Sequence, residues 1–366
     1  MYRNTYLKVN LSNYQDNLRY LQKISNKEII AVIKANGYGL GDITLAKAAK
    51  NVGIRMVAVS SLPEALHIRE TIKDMDILIL GYVDKKFLSV VKENDLIIPT
   101  VSKDYIEEMD DLKGLRVHLK IDTGMNRIGI KSKEEAKEVL EHLLEKGASV
   151  EGIFTHYAQS DEMEEGFTKE QFERFKQIVS FLNYDFRYVH ASNSDATINF
   201  REDLTNACRV GIAALGYASF DEGLKPTAEL YSSIINIKEV GAGESIGYSR
   251  KYFTGKKEWI ATVPIGYADG VLRSNTGNKV WVEGEACEIV GNVCMDQLMI
   301  RTDKYYPVNT PVEIFGQHQN IRDYSRYNNL IVYETLCLIS DRITRVYVDD
   351  KGEIIEEKTP RFSGFL

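Results

Sequence analysis

Short apolar runs of strand length recur through the first two-thirds of the chain, at Ile29–Ile33, Met56–Val59, Ile77–Leu80, Leu96–Pro99, Val117–Ile121, Gly152–Thr155, Tyr188–His190 and Ala207–Ile212. Between most of them lie segments with apolar positions at helical spacing, such as Ile43–Asn51, Leu62–Thr71, Lys133–Lys146 and Thr168–Leu182. Strand–helix alternation is the pattern of a parallel sheet. Eight such units in roughly 220 residues come close to the ~250 typical of a (β/α)8 barrel. A doubly wound open sheet also alternates, but it brings a Gly-rich fingerprint after its first strand, and none with that spacing is present. The predicted fold is therefore α/β, with an N-terminal (β/α)8 TIM-type barrel.

The texture changes after Leu224. Strand-like runs now follow one another at Ile234–Val240, Trp259–Val263, Val280–Val282, Cys287–Val290, Gln297–Ile300 and Val312–Ile314, broken by Gly241–Gly243, Gly277, Gly284 and Gly291. Only Leu330–Leu338 looks helical, which predicts a C-terminal mainly β domain. Tyr2–Asn10 alternates like a strand and is a candidate to pair with it. The expected division is a barrel over residues 11–228 and a β domain built from 1–10 plus 229–366.

Composition narrows the class of function. With 46 Lys+Arg against 53 Asp+Glu the chain carries a formal charge of -7 and no basic run, which argues against a nucleic-acid surface. No apolar stretch reaches the ~18 residues needed to cross a bilayer, and the start lacks the apolar core of a secretory signal. Four cysteines without a Cys-x-x-Cys pair fit reduced thiols, so the expected setting is cytoplasmic. No metal site is predicted.

Functional residues of such a barrel gather at the C-terminal ends of its strands. The first strand runs into Lys34, inside Ala-Val-Ile-Lys34-Ala-Asn-Gly-Tyr38-Gly-Leu-Gly41. A lysine at the end of an apolar strand is open to two readings. Desolvation would lower its pKa and free the amine for imine chemistry, or the side chain simply points to solvent. The glycines after it would let backbone approach a ligand, with Tyr38 as a hydrogen-bond donor to a phosphate. His156 closes the sixth strand, Ser194 follows the seventh and Arg209 lies in the eighth. Loops after strands 7 and 8 are a frequent phosphate site, a role that suits Ser194 with the N–H groups of Gly211 and Ile212. A Schiff-base lysine with a phosphate cradle implies pyridoxal 5'-phosphate (PLP). If Arg209 stands at the pyridine nitrogen, that nitrogen stays unprotonated. Charge then spreads less into the ring, which suits simple removal and return of a proton.

These residues resemble the bacterial alanine racemases over nearly the whole chain. The likeness rests on Val32-Ile-Lys34-Ala-Asn-Gly-Tyr38-Gly, Lys120-Ile-Asp-Thr-Gly-Met-Asn-Arg127-Ile-Gly, Thr155-His156-Tyr, Asn193-Ser194, Arg209-Val-Gly-Ile212, Gly247-Tyr248-Ser, Ile265-Gly-Tyr267-Ala-Asp-Gly and Cys294-Met295-Asp296-Gln297. The resemblance implies a barrel-plus-β-domain enzyme that interconverts L- and D-alanine by two-base proton transfer on a PLP aldimine, supplying D-alanine for peptidoglycan. It makes Lys34 the aldimine lysine and one base, and Tyr248, from the partner subunit of a homodimer, the base on the opposite face. Tyr38, Ser194, Gly211, Ile212 and Tyr333 are similar to the family's phosphate shell, while Arg127, Met295 and Asp296 match its substrate-carboxylate site. His156, hydrogen-bonded to Arg209, and Arg273 resemble groups that tune the site; Tyr267 and Tyr333 resemble tyrosines at a narrow entrance. Lys120 matches a lysine that some members carbamylate to hold Arg127.

Two departures lie in the lysine loop, where Gly37 and Leu40 stand in place of the family's usual Ala and His. Tyr333 favours alanine over serine, because related serine racemases carry asparagine there. Among rivals, a fold-related decarboxylase would place a glutamate where Arg209 stands. A PLP carrier built from a single barrel would lack Tyr248, and a cofactor-free aldolase would leave Tyr38, Ser194 and Arg209 without a task.

Overall fold

A computed structural model of the chain describes residues 3–109, 112–162, 166–220 and 223–359. Tyr2 and the ends of the expected β domain, at 1–2 and 360–366, lie outside them. The chain divides into two compact units: Asn13–Gly37 with Asp42–Pro226, and Met1–Ser12 with Tyr38–Gly41 and Thr227–Leu366.

The first unit holds a closed barrel of eight parallel strands, Glu28–Val32, Met56–Val59, Asp76–Ile79, Ile97–Pro99, Arg116–Lys120, Ser149–Phe154, Tyr188–His190 and Ala207–Val210. Each coincides with one of the eight apolar runs to within a few residues, because strands covered on both faces read as continuous apolar segments. Ile30, Met56, Ala58, Leu78, Ile97, Tyr188 and Ala207 pack together as one apolar cluster. Helices return the chain between strands. Ser132 caps the helix Lys133–Glu145 by accepting from the Glu135 N–H at 3.1 Å, and Asn193 caps Ser194–Asn199 through the Ala196 N–H at 3.1 Å.

The second unit is dominated by a ten-stranded sheet. Its order is Asn236–Val240, Glu258–Val263, Leu298–Thr302, Glu285–Ile289, Lys279–Val282, Pro311–Phe315, Ala228–Ser233, Tyr6–Asn10, Thr344–Val348 and Ile354–Lys358. The N-terminal strand is thus internal, antiparallel to Ala228–Ser233 and parallel to Thr344–Val348. Leu7 and Val9 alternate inward and are fully buried. One expectation needs correction: besides Val332–Leu338 the unit contains a second helix, Ile321–Tyr327. Its core face is sparse, with Ile321, Tyr324 and Ser325 as its buried positions, so the apolar periodicity that marks a helix is faint.

Candidate active site

The first barrel strand ends at Val32, and Lys34 opens a tight turn. Ala35, Asn36, Gly37 and Tyr38 have φ of 52°, 53°, 62° and 55°, so four successive residues are left-handed. That conformation costs a residue with a Cβ roughly 1–2 kcal/mol. Local bonds offset the cost. The Ala35 N–H donates to the Glu64 carboxylate at 2.9 Å, which also accepts from the Ser60 N–H at 2.7 Å and hydroxyl at 2.9 Å. The Gly37 N–H donates to Ile33 O at 2.9 Å, and Asn36 Oδ1 accepts from the Asp42 N–H at 3.2 Å. Glycine at 37 suits both the φ and the space, since a Cβ there would lie 2.7 Å from Leu45 Cδ1.

Lys34 itself is exposed. Of the two readings left open by the sequence, the structure takes the outward one: the side chain leaves from the turn after the strand has ended. The expectation for the glycines is corrected. At Gly39 an added Cβ would meet Leu336 O, and at Gly41 the Tyr347 hydroxyl, so it is the chain itself that approaches these backbones.

Inside the barrel a column of polar groups replaces the usual apolar filling. Arg209 is 4% exposed, and no carboxylate bonds to it among the described residues. Its Nη2 donates to Thr155 O at 2.7 Å, Ala191 O at 2.8 Å and His156 Nδ1 at 3.1 Å, and its Nη1 to His190 Nδ1 at 2.8 Å. Burial and the lost hydration pull the guanidinium down to about 10. Burial first, and then the Arg209 charge, hold His156 and His190 well below the usual imidazole range. Both rings are thus neutral acceptors. The Phe154 ring stacks on His190 at 4.8 Å and offers its face to Arg209 and to the Lys120 ammonium, each at 5.2 Å.

Lys120 is 3% exposed, and Nζ donates to Ile121 O at 2.8 Å. Burial, with Arg209 next, lowers its amine to about 7, from 10.5 in water. The unfolded chain therefore binds more protons between those values, so stability rises with pH across that window and the full penalty is felt below it. In carbonate-free buffer, Lys120→Met is expected to raise the melting temperature clearly at pH 6. The gain should shrink as pH climbs from 7 towards 10, and a gain independent of pH would show that no strained ammonium is there.

The loop after this strand is braced as far as Ile130. Asp122 Oδ1 accepts from the N–H groups of Gly124 at 3.1 Å and Asn126 at 2.9 Å, and the Gly129 N–H donates to Val101 O at 2.8 Å. Gln171 and Arg174, on the helix Gly166–Leu182, donate to Thr123 at 3.2 and 2.9 Å. Arg127 is exposed on this held loop. After strand 7, Ser194 Oγ accepts from the Gly211 N–H at 3.1 Å and the Ala213 N–H at 3.2 Å. The Gly211 donor is thus already engaged, whereas the Ile212 N–H has no acceptor among the described residues.

In the other unit Tyr38 and Tyr333 meet edge to face, ring centroids 6.0 Å apart. The loop carrying Tyr38 is clamped by two residues that the sequence reading missed. Arg345 donates to Gly39 O through Nε and Nη2 at 3.0 and 2.8 Å, and the Tyr347 hydroxyl donates to Leu40 O at 2.8 Å. An arginine inside the apolar run Thr344–Val348 was the available signal. The turn at Tyr267 rests on the Cys294–Gln297 segment, with the Tyr267 N–H on Cys294 O at 3.1 Å and the Ala268 N–H on Met295 O at 3.0 Å. Asp296 accepts from Arg342 at 2.7 Å, and buried Asp269 takes a bidentate pair from Arg3 at 2.7 Å. Arg273 is exposed. Tyr248, 71% exposed, opens a turn flanked by left-handed Gly247 and Ser249, and its carbonyl accepts from Asn292 Nδ2 at 2.9 Å.

Residues 9–219 match the family model for the alanine racemase N-terminal domain, and residues 227–347 the model for the alanine racemase C-terminal domain. The chain belongs to the alanine racemase family. It is 39% identical to an alanine racemase of Streptococcus pyogenes serotype M5, covering 94% of this chain and 99% of the relative. The crystal structure of alanine racemase from Bacillus anthracis with bound L-Ala-P superposes with a TM-score of 0.93 at 34% identity, covering 98% of both chains. An alanine racemase structure from Bartonella henselae, with covalently bound pyridoxal phosphate, gives 0.86 at 25% identity, over 94% of this chain and 99% of that one. As a member of this family the chain is an amino-acid racemase, with the barrel and mainly β architecture that its relatives share.

Proposed function

We propose that this alanine racemase interconverts L- and D-alanine with PLP held at the barrel mouth, Lys34 and Tyr248 serving as its two bases. The observation that carries the reading is the charge inside the barrel: Arg209 and Lys120 are buried cations, and no carboxylate bonds to either among the described residues. Such a site favours anionic guests, and a phosphate and a carboxylate are the anions that cofactor and substrate bring. The Ile212 N–H fits a phosphate oxygen, and Ser194, Gly211, Tyr38 and Tyr333 are the other members of that shell by family likeness. When bound, PLP supplies an electron sink that makes the alanine α-proton acidic.

Lys34 carries an amine on a turn whose backbone is held by Glu64, Asn36 and Ile33, so its position is set before any ligand arrives. It removes or returns the α-proton on one face, and the Tyr248 hydroxyl does so on the other. Arg127, with the backbone N–H of Met295, takes the substrate carboxylate with Asp296 beside them, while Tyr267 and Arg273 line the approach. Lys120, its amine pulled down to about 7, is charged only in part near pH 7, and the unprotonated fraction is the nucleophile that adds to carbon dioxide with loss of one proton. The carbamate would then face Arg127. Intact-mass measurement in bicarbonate is expected to find one added carboxyl, and none on Lys120→Met; an unmodified wild-type chain overturns this.

The residues 1–10 and 229–366 are proposed to complete the site of a second copy in a homodimer. Tyr248, Met295 and Ile331 leave large apolar surfaces uncovered on one chain, which is what a shared site would cover. A cytoplasmic supply of D-alanine for peptidoglycan fits a chain of this length with four cysteines and no Cys-x-x-Cys pair. Alanine followed in deuterated water by circular dichroism and NMR tests the reading: optical activity should vanish as deuterium enters Cα. Tyr248→Phe should slow proton abstraction from one enantiomer by about 10²–10⁴-fold and from the other much less. Equal, small effects on both would remove Tyr248 from its role.

A further inference from the structure

His118 and His190 are wholly buried in the barrel and have no part in the chemistry above. Their hydrogen bonds nonetheless have a direction. A guanidinium offers only donors, so the Arg209 Nη1 bond makes His190 Nδ1 an acceptor. Neutral His190 then carries its proton on Nε2, which lies 2.9 Å from His118 Nδ1. His118 must accept there, which fixes its own proton on Nε2, and that nitrogen is buried without a partner. The charged groups that act on the two rings are Arg116, Arg187, Arg209 and Lys120, all cationic, so neither ring gains from taking a second proton.

The fold makes room for this arrangement. His118 stands opposite Gly152, where an added Cβ would lie 2.7 Å from Nδ1, and the strand register slips between Val117 and His118. A register irregularity that re-aims one side chain is a feature with a use. A buried donor left unbonded at Nε2 also costs stability, so the packing of the barrel core alone gives no reason for a histidine here.

We propose that His118 is a positioning residue for the racemase: by accepting from His190 Nε2 it locks His190 as the acceptor that aims the Arg209 guanidinium. The proposal rests on the reading of Arg209 as the group at the cofactor's ring nitrogen. Without the His118 acceptor, His190 would be left with an unbonded buried Nε2–H, and a ring that turns to find another acceptor takes Nδ1 off the line of the Arg209 Nη1 donor. The guanidinium would then lose one of the acceptors that aim it. Each bond in the relay also polarises the next, so the acceptor strength that Arg209 meets depends on a residue it never touches.

The test compares wild type, His118→Phe and His118→Asn as the full-length protein with its cofactor, labelled with ¹⁵N in its six histidines. In wild type, His118 and His190 are expected as neutral rings protonated at Nε2. In His118→Phe the His190 Nε2–H proton should move upfield as it loses its acceptor, and the Nδ1 signal should shift as its bond from Arg209 weakens. The ratio of pyruvate formed to alanine racemised should rise on the order of tenfold, the scale of one buried hydrogen bond lost. His118→Asn, whose Oδ1 can stand where Nδ1 stood, should restore both readouts towards wild type. His190 protonated on Nδ1 in wild type overturns the proposal, and so does a His118→Phe protein with unchanged His190 ring signals and product ratio. Absence of the cofactor's visible band would instead count against the Arg209 reading, while the tautomers would still report the relay. Should His118→Phe not fold, wild type and His118→Asn decide by tautomer alone.

Discussion

Lys34→Ala is expected to abolish the visible absorbance of lysine-bound PLP and to lower racemisation by about 10⁴–10⁶-fold, the range for loss of a residue that both forms the covalent link and moves the proton. Its exposure makes the experiment clean. The side chain leaves a turn held by Glu64, Asn36 and Ile33 through backbone N–H groups, none of which belongs to the Lys34 amine. Truncation therefore removes chemistry with little change in melting temperature, because exposed substitutions away from such features stay within ~0.5 kcal/mol. A variant that keeps its colour, or its rate, would remove Lys34 from the site and with it the two-base scheme.

Arg209→Glu should convert part of the racemase into a transaminase. The guanidinium is a fully buried cation whose neighbours are arranged as acceptors: two carbonyls and two neutral imidazoles. A carboxylate in its place reverses the field. Arg209 is the largest charge holding down His156 and His190 after burial itself, so both rings should take up protons more readily. A protonated ring nitrogen would favour return of the proton to the cofactor's carbon instead of Cα, after which water would release pyruvate and the alanine amino group would stay on the cofactor. Racemisation is expected to fall by about 10²–10³-fold, the scale of one misplaced preorganised group, as pyruvate appears. Racemisation intact with no pyruvate would show that Arg209 does not govern the ring nitrogen.

How much of this was legible in the sequence depended on distance along the chain. The barrel was, because each strand is a local apolar run and the helices between them have local periodicity. So was the convergence of His156 and Arg209, which follows once the strand ends are known, and their bond is present at 3.1 Å. The direction of Lys34 stayed open between two readings, since a one-residue change of direction after Ile33 decides which way the side chain leaves, and hydrophobic pattern does not report backbone sign. The Arg345 clamp on Gly39 joins residues 306 apart, beyond any local pattern. His118 went unnoticed for another reason: a single histidine inside an apolar strand carries no signal until its neighbours across the barrel are known.

The position of Tyr6–Asn10 inside the ten-stranded sheet has a consequence for the order of biosynthesis. One of its two partners, Thr344–Val348, leaves the ribosome roughly 330 residues later, which at ~5–20 residues per second is about 17–70 seconds. All eight barrel strands are synthesised within that interval and before Ala228–Ser233, the other partner, so the first strand waits for them with both edges unmatched. The edge that meets Thr344–Val348 is thus closed late, and a nascent chain cut short before Thr344 lacks the parallel partner of Tyr6–Asn10.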